Sequence, residues 1–211
     1  LHAARHAAAL HFQPVGCLQL RGQDRIAFLQ RQTTNDMRRL TPGSALVTVL
    51  TNPSARILDV LTALQPDPET ILLLSCYPQA TLRFLKSRIF FMDKVELNPA
   101  QPPYRTAQLF GAHAVQTITA LGFELPAPNT FSRNLAGSFA YPLHGWRIPA
   151  YGLLFYADDV TPAAARLPEL TPAAAESLRL WAGIPGLQAE LFPEKFTPLE
   201  VGMGWAVAEN K

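Results

Sequence analysis

The densest chemistry in this 211-residue chain is cationic: Arg21, Arg25, Arg31, Arg38 and Arg39 fall within one short stretch. Clustered guanidinium groups raise the local concentration of an anion, so an anionic ligand is one use for them and a solvated helix face is the other. RNA would want aromatic rings among the arginines for base stacking. Phe28, on the expected core face, is the sole ring there. Other chemistry is thin. His2 and His6 stand four apart, a metal-binding spacing on a helix, but no third ligand is near. Cys17 and Cys76 fall in different expected strands and give no disulfide framework, so a reducing cytoplasm is expected. Gly202 and Gly204 are too little for a phosphate loop, and no serine sits in a nucleophile elbow. The residues alone specify no autonomous catalytic constellation.

The elements that must position these groups follow from pattern. Residues 1–105 carry 12 Lys/Arg against 7 Asp/Glu, a balance of +5, and residues 106–211 carry 6 against 9, a balance of −3. The apolar fraction of 48% suits a globular chain of one or two domains. No run reaches the ~20 apolar residues of a membrane span, and the start lacks the layout of a signal peptide. Leu1–His11 is expected to be a helix, Val15–Arg21 a strand, and Ile26–Gln32 a helix capped by Asp24. Ala45–Thr51 and Arg56–Leu64 read as a hairpin, Thr70–Ser75 as a strand, and Pro78 as the start of a helix that presents Leu82, Leu85 and Ile89. Lys94–Leu97 follows as a strand. Ser138–Leu143, Trp146–Pro149 and Gly152–Ala157 read as a meander closed by Asp158 and Asp159. A helix capped by Thr171 ends at Gly183, an extended run covers Ile184–Leu199, and Val201–Ala208 reads as a last strand. The strand–Gly–helix grammar of Gln19–Gly22 returns 89 residues later at Gln108–Gly111. This predicts a pseudo-two-fold pair, with Val15–Arg21 and Tyr104–Phe110 in one sheet.

The run Ser177–Lys211 resembles the signature of the glycine-cleavage T-protein superfamily, and more closely its YgfZ-type folate-binding branch. The matching residues are Leu178-Arg179 through Pro185, Pro198-Leu199-Glu200, and Gly202 onward. Phe28-Leu29-Gln30, Thr34-Asn35-Asp36, Pro42-Gly43, the hairpin Asn52–Asp59, Arg88 and Lys94-Val95-Glu96 agree too. The resemblance implies an α+β fold of two intertwined, discontinuous α/β domains of the T-protein ring, set around a folate pocket. One domain is expected at 1–42 and 104–183, the other, an antiparallel sheet plus helix, at 43–103 and 184–211. The family's third domain, a β-barrel, would follow residue 211. The branch motif Lys-Gly-Cys-Tyr-Thr-Gly-Gln-Glu would start at Lys211.

The resemblance further implies a folate-type ligand, tetrahydrofolate, and a cytoplasmic accessory protein for iron–sulfur enzymes or their assembly proteins, with a link to tRNA modification. Asp59 would face the pterin ring and Asp36 the pocket edge. Arg88 and Arg179 would meet the glutamate carboxylates, because guanidinium can offer a carboxylate two parallel hydrogen bonds. Two departures weaken binding. The T-proteins carry a double aspartate where this chain has Asp59-Val60, and an acid that anchors the pterin where it has Gly152-Leu153-Leu154-Phe155. These argue against the first alternative, a tetrahydrofolate-dependent aminomethyltransferase. The scarcity of aromatics argues against the second, an RNA-binding module on the Arg21–Arg39 face. No catalytic residue, resident metal, membrane or nucleic-acid partner is expected.

Overall fold

The computed structural model describes residues 7–156, 162–187 and 189–211. In chain order its strands are β1 (Ala9–Phe12), β2 (Gly16–Arg21), β3 (Ala45–Thr51), β4 (Ile57–Asp67), β5 (Thr70–Ser75), β6 (Glu96–Pro99), β7 (Tyr104–Phe110), β8 (Ser132–Arg133), β9 (Phe139–Pro142) and β10 (Ala150–Tyr156). The helices are α1 (Arg25–Gln32), α2 (Pro78–Lys86), α3 (Ala114–Ala120), α4 (Pro162–Ala165) and α5 (Pro172–Ala182). The chain divides into two compact units, Leu1–Pro14 with Pro102–Ile184 and Val15–Gln101 with Pro185–Lys211.

Each unit is built on one antiparallel sheet. The unit holding Val15–Gln101 has the strand order β3-β4-β5-β2-β6. β5 is its best covered strand, buried at all six positions, and so it reads as an unbroken apolar run. On one side Leu18, Leu20, Phe28, Leu29, Ile71 and Leu73 form the core; a second cluster joins Val49 and Ile57 to Leu191, Met203 and Ala206 of the C-terminal segment. The other unit has the order β1-β7-β10-β9-β8, with Leu109, Ile118, Leu153 and Phe155 in its core.

The two sheets are wired alike. β2–α1–β3–β4–β5 and β7–α3–β8–β9–β10 each run from a strand through a glycine and a short helix to three more strands, the last of which returns beside the first. The junction glycines, Gly22 and Gly111, have φ of 109° and 132°. At Gly22 the backbone of Lys94 and Val95 stands where a Cβ would go. A residue with a side chain would meet both the positive φ and that wall.

Several local expectations need correction. Val15–Arg21 and Tyr104–Phe110 do not share a sheet: β2 lies between β5 and β6, and β7 between β1 and β10. The repeat is therefore a repeat of sheets, one copy in each unit. Of the helix expected at Leu1–His11, residues 1–6 lie outside the described residues and Ala9–Phe12 is strand, because antiparallel pairing with β7 and burial of Ala9 and Leu10 outweigh the weak pull of local helix preference. His2, His6, Asp158 and Asp159 lie outside the described residues. Asp24 stands at the start of α1 but does not cap it; its carboxylate accepts from Lys94 N at 2.9 Å. The strand expected at Lys94–Leu97 forms at Glu96–Pro99. Trp146–Pro149 is irregular, with Trp146 and Ile148 packed on the cluster of Phe110 and Leu178. Ile184–Leu199 is turn-rich rather than extended, and Val201–Ala208 contains a 3-10 turn at Gly204–Ala206 rather than a strand. Pro and Gly punctuation in that segment, read as breaks in an extended run, instead folds it back on itself.

Candidate functional site

Asp59 is the most deeply placed of the four residues singled out. It sits near the start of β4 with no exposed surface. Its Oδ2 accepts from Ser75 Oγ at 2.5 Å, from Thr81 Oγ1 at 2.5 Å and from Tyr77 N at 3.4 Å. Its Oδ1 accepts from Val60 N at 2.8 Å and Cys76 N at 3.1 Å. The carboxylate thus ties β4 to the end of β5 and to the first turns of α2, and the positive end of that helix suits a negative charge. Burial pushes the carboxyl above its ordinary value, while the hydrogen bonds from Ser75, Thr81, Tyr77 and Cys76 pull it back part of the way. Five donors fill the lone pairs that a carboxylate offers.

Asp36 is half-buried after α1, in the segment Thr34–Asp36 that is stitched to β3. Asn35 N donates to Thr48 Oγ1 and Asn35 Nδ2 to Val47 O, at 2.9 and 2.7 Å, and Thr34 N to Val49 O at 2.9 Å. Asp36 caps the 3-10 turn Met37–Arg39 through Arg38 N and meets the Arg38 guanidinium at 2.7 and 3.0 Å. That partner holds its carboxyl below the usual range. Its Oδ2 accepts from Arg38 Nη2 at 3.0 Å, whereas three donors converge on Asp59 Oδ2. Beside it, Lys211 Nζ donates to Asn35 O at 3.0 Å, and desolvation pulls that ammonium down to about 8.

Arg88 is exposed just beyond α2, with its guanidinium 5.0 Å from the Phe84 ring centroid, and no ion pair engages it among the described residues. Arg179 belongs to the other unit. It grips Glu176 at 2.8 and 2.5 Å and donates to Ile184 O at 2.5 Å, closing the end of α5. Trp181, on the same helix, is 44% exposed, and the Arg147 guanidinium lies over its ring. Of the basic stretch, Arg31 is paired with Asp93 at 2.7 Å, Arg38 with Asp36, and Arg25 donates to the carbonyls of Gly22 and Pro68. Its charge is thus partly spent within the protein.

Neither cysteine is poised for reaction. Burial pushes the Cys17 thiol up to about 12, and burial with the charge of Asp59 pushes Cys76 up too, so neither is a thiolate near neutral pH. Sequence reasoning missed a surface cleft of about 470 Å³ in the loop before β8, where Glu124, Thr130 and Arg133 contribute polar groups and Ser132 Oγ is buried without a partner. Its Pro-rich, unpatterned stretch gave no signal beyond turn chemistry.

Comparison with known proteins places the fold. A crystal structure of the glycine cleavage system aminomethyltransferase T from Bartonella henselae superposes with a TM-score of 0.82 at 20% identity, over 99% of this chain and 60% of that one. Heterotetrameric sarcosine oxidase from Corynebacterium sp. U-96 matches with a TM-score of 0.51 at 14% identity, over 99% of this chain and 92% of that one. At such identities the likeness establishes a shared fold, as the α+β, T-protein-like expectation required. A chloroplastic protein of Arabidopsis thaliana that carries a transferase name is 29% identical over 210 residues, 93% of this chain. The chain spans about half the length of this curated relative, 48%. No protein-family model matches the chain.

Proposed function

We propose that the chain is part of a folate-binding protein of the T-protein type, and more finely an accessory protein that supports iron–sulfur cluster assembly or repair. The observation that carries the folate reading is the T-protein fold over nearly the whole chain. The finer assignment rests on the sequence resemblance of Ser177–Lys211 and is tested by the activity of cluster-dependent enzymes in cells lacking the protein. The residues present fit a folate in part. A pterin needs a carboxylate that accepts from its ring N–H and amino groups, and its glutamate tail needs cations. Asp36 and Arg88 keep surface and bonding capacity for an outside molecule. Asp59 and Arg179 serve as positioning residues, the first behind the β4–α2 junction and the second at the end of α5. No acid lies in the buried Gly152–Phe155 segment, so binding is weak, with Kd on the order of micromolar to millimolar, roughly 4–8 kcal/mol.

Titration of tetrahydrofolate against the chain and its Asp36→Ala and Arg88→Gln variants tests this. Weakened binding in both variants is expected, and unchanged affinity in both removes these residues from the site. No binding by the chain, nor by a longer form that carries the third domain, overturns the folate reading. One observation favours aminomethyl or other one-carbon transfer as a second reading: the transferase name of the Arabidopsis relative. Turnover of a methylene donor in the presence of tetrahydrofolate would establish it.

A further inference from the structure

Beyond α2 the chain makes a tight turn that puts apolar side chains where a soluble surface gains nothing from them. Phe90, Phe91 and Met92 are 64%, 98% and 73% exposed, three large apolar residues in succession. The turn is well built: Asp93 N donates to Phe90 O at 2.9 Å, and Phe90 N donates to the Asp93 carboxylate at 2.9 Å. Arg31, reaching from α1, clamps the same carboxylate at 2.7 Å. Turn centres are ordinarily Gly, Pro, Asn, Asp or Ser; here they are Phe91 and Met92. Below the tip, Ile89 packs back onto the core and so fixes the direction in which the tip projects.

The surroundings are cationic. Between positions 83 and 94 stand Arg83, Lys86, Arg88 and Lys94, all exposed, against one acid, Asp93, whose charge Arg31 meets. A convex tip of three side chains is too small for a stable protein–protein interface, which buries about 800 Å² on each partner. A lipid interface needs no matching shape: it takes aromatic and thioether groups into its apolar layer and meets cations with phosphate. A single nucleic-acid strand could also use rings and cations, but Met92 offers it no stacking face.

We propose that the Phe90–Asp93 turn is a membrane-surface anchor, seating Phe91 and Met92 in the interface of a bilayer that carries anionic lipid while Arg83 and Lys94 face its headgroups. The contact is peripheral, since no helix among the described residues is long and apolar enough to cross a membrane. It does not depend on the folate reading.

The test is co-sedimentation of the 211-residue chain with vesicles of phosphatidylcholine alone and of phosphatidylcholine with phosphatidylglycerol. Pelleting with the anionic vesicles, reversed by salt, is expected. The Phe91→Ser/Met92→Ser variant should lose at least about tenfold in partitioning, since it removes the apolar part of a contact that needs two signals. Arg83→Gln and Lys94→Gln should each lose roughly fivefold. All these positions are exposed, so unchanged thermal melting verifies folding of the variants. Failure to pellet with the anionic vesicles, or equal pelleting of the serine variant and wild type, overturns the proposal. So does binding that the serine variant loses only toward a single-stranded RNA, which would make the tip a nucleic-acid contact. Concentration-dependent self-association of wild type alone, without vesicle binding, would give the tip to a second copy and overturn it as well.

Discussion

At the scale of single residues, Asp59 is where the chain has most at stake. Its carboxylate satisfies two hydroxyls and three backbone N–H groups in a buried setting. Asp59→Ala leaves those donors without an acceptor, each at a cost of roughly 1–3 kcal/mol where water cannot reach it. The variant should lose about 3 kcal/mol or more in urea unfolding. Asp59→Asn keeps the shape but offers one acceptor oxygen in place of two, and should lie between alanine and wild type. Because the folded carboxyl sits above its ordinary 3.8, the contribution linked to its proton is fully present below that value and is lost as pH rises through the folded one. The wild-type-minus-Asn stability difference should therefore fall with rising pH in that window, and urea midpoints across pH would check it. Sequence located this residue but not its bonds: Ser75, Thr81 and the Cys76–Tyr77 backbone reach it only because β4 and β5 pair and α2 begins where β5 ends. Arg179 is a similar case. Its partner Glu176 lies three residues away on the same helix and could have been read from spacing alone.

At the scale of elements, two glycines separate backbone conformation from crowding. Gly183 ends α5 at φ 73° with open space around it, whereas Gly22 has φ 109° and the Lys94–Val95 backbone against it. Gly183→Ala should cost about 1 kcal/mol, the penalty for a left-handed residue with a Cβ. Gly22→Ala should cost several times as much, since neither β2 nor the Lys94–Val95 chain can give way without disturbing the β2–β6 pairing; thermal melts of the two variants decide it. The hairpin β3–β4, strand β5, helix α2 behind Pro78 and helix α5 between Thr171 and Gly183 were legible, because period, caps and turn chemistry agree there. The N-terminal strand and the C-terminal segment were not legible. Partners far away in sequence decide both: β7 for the first, and Thr34 and Ile57 for the second.

At the scale of the whole molecule, the repeat seen as a four-residue match is a repeat of whole sheets with one wiring. Pattern could detect the match but could not say which strands pair, because pairing depends on contacts between residues tens of positions apart. Residues 185–211 are the clearest instance. Ile57 N donates to Phe196 O, Glu194 N to Ile57 O, Ala208 N to Thr34 O and Tyr77 Oη to Leu187 O, at 2.8, 2.7, 3.0 and 2.7 Å. Removing 185–211 should uncover Val49 and Ile57 and destabilise the β3–β4 hairpin. Hydrogen exchange should show lost protection at 45–64, while amides of β7 and β10 keep theirs.

That late return also sets a clock. A ribosome emits roughly 5–20 residues per second, so the sheet begun at Gly16 has its strands available well before the segment that covers Val49 and Ile57 leaves the exit tunnel. For that interval, several seconds long at such speeds, the nascent chain presents Val49 and Ile57 uncovered, an apolar face open to contact with other chains.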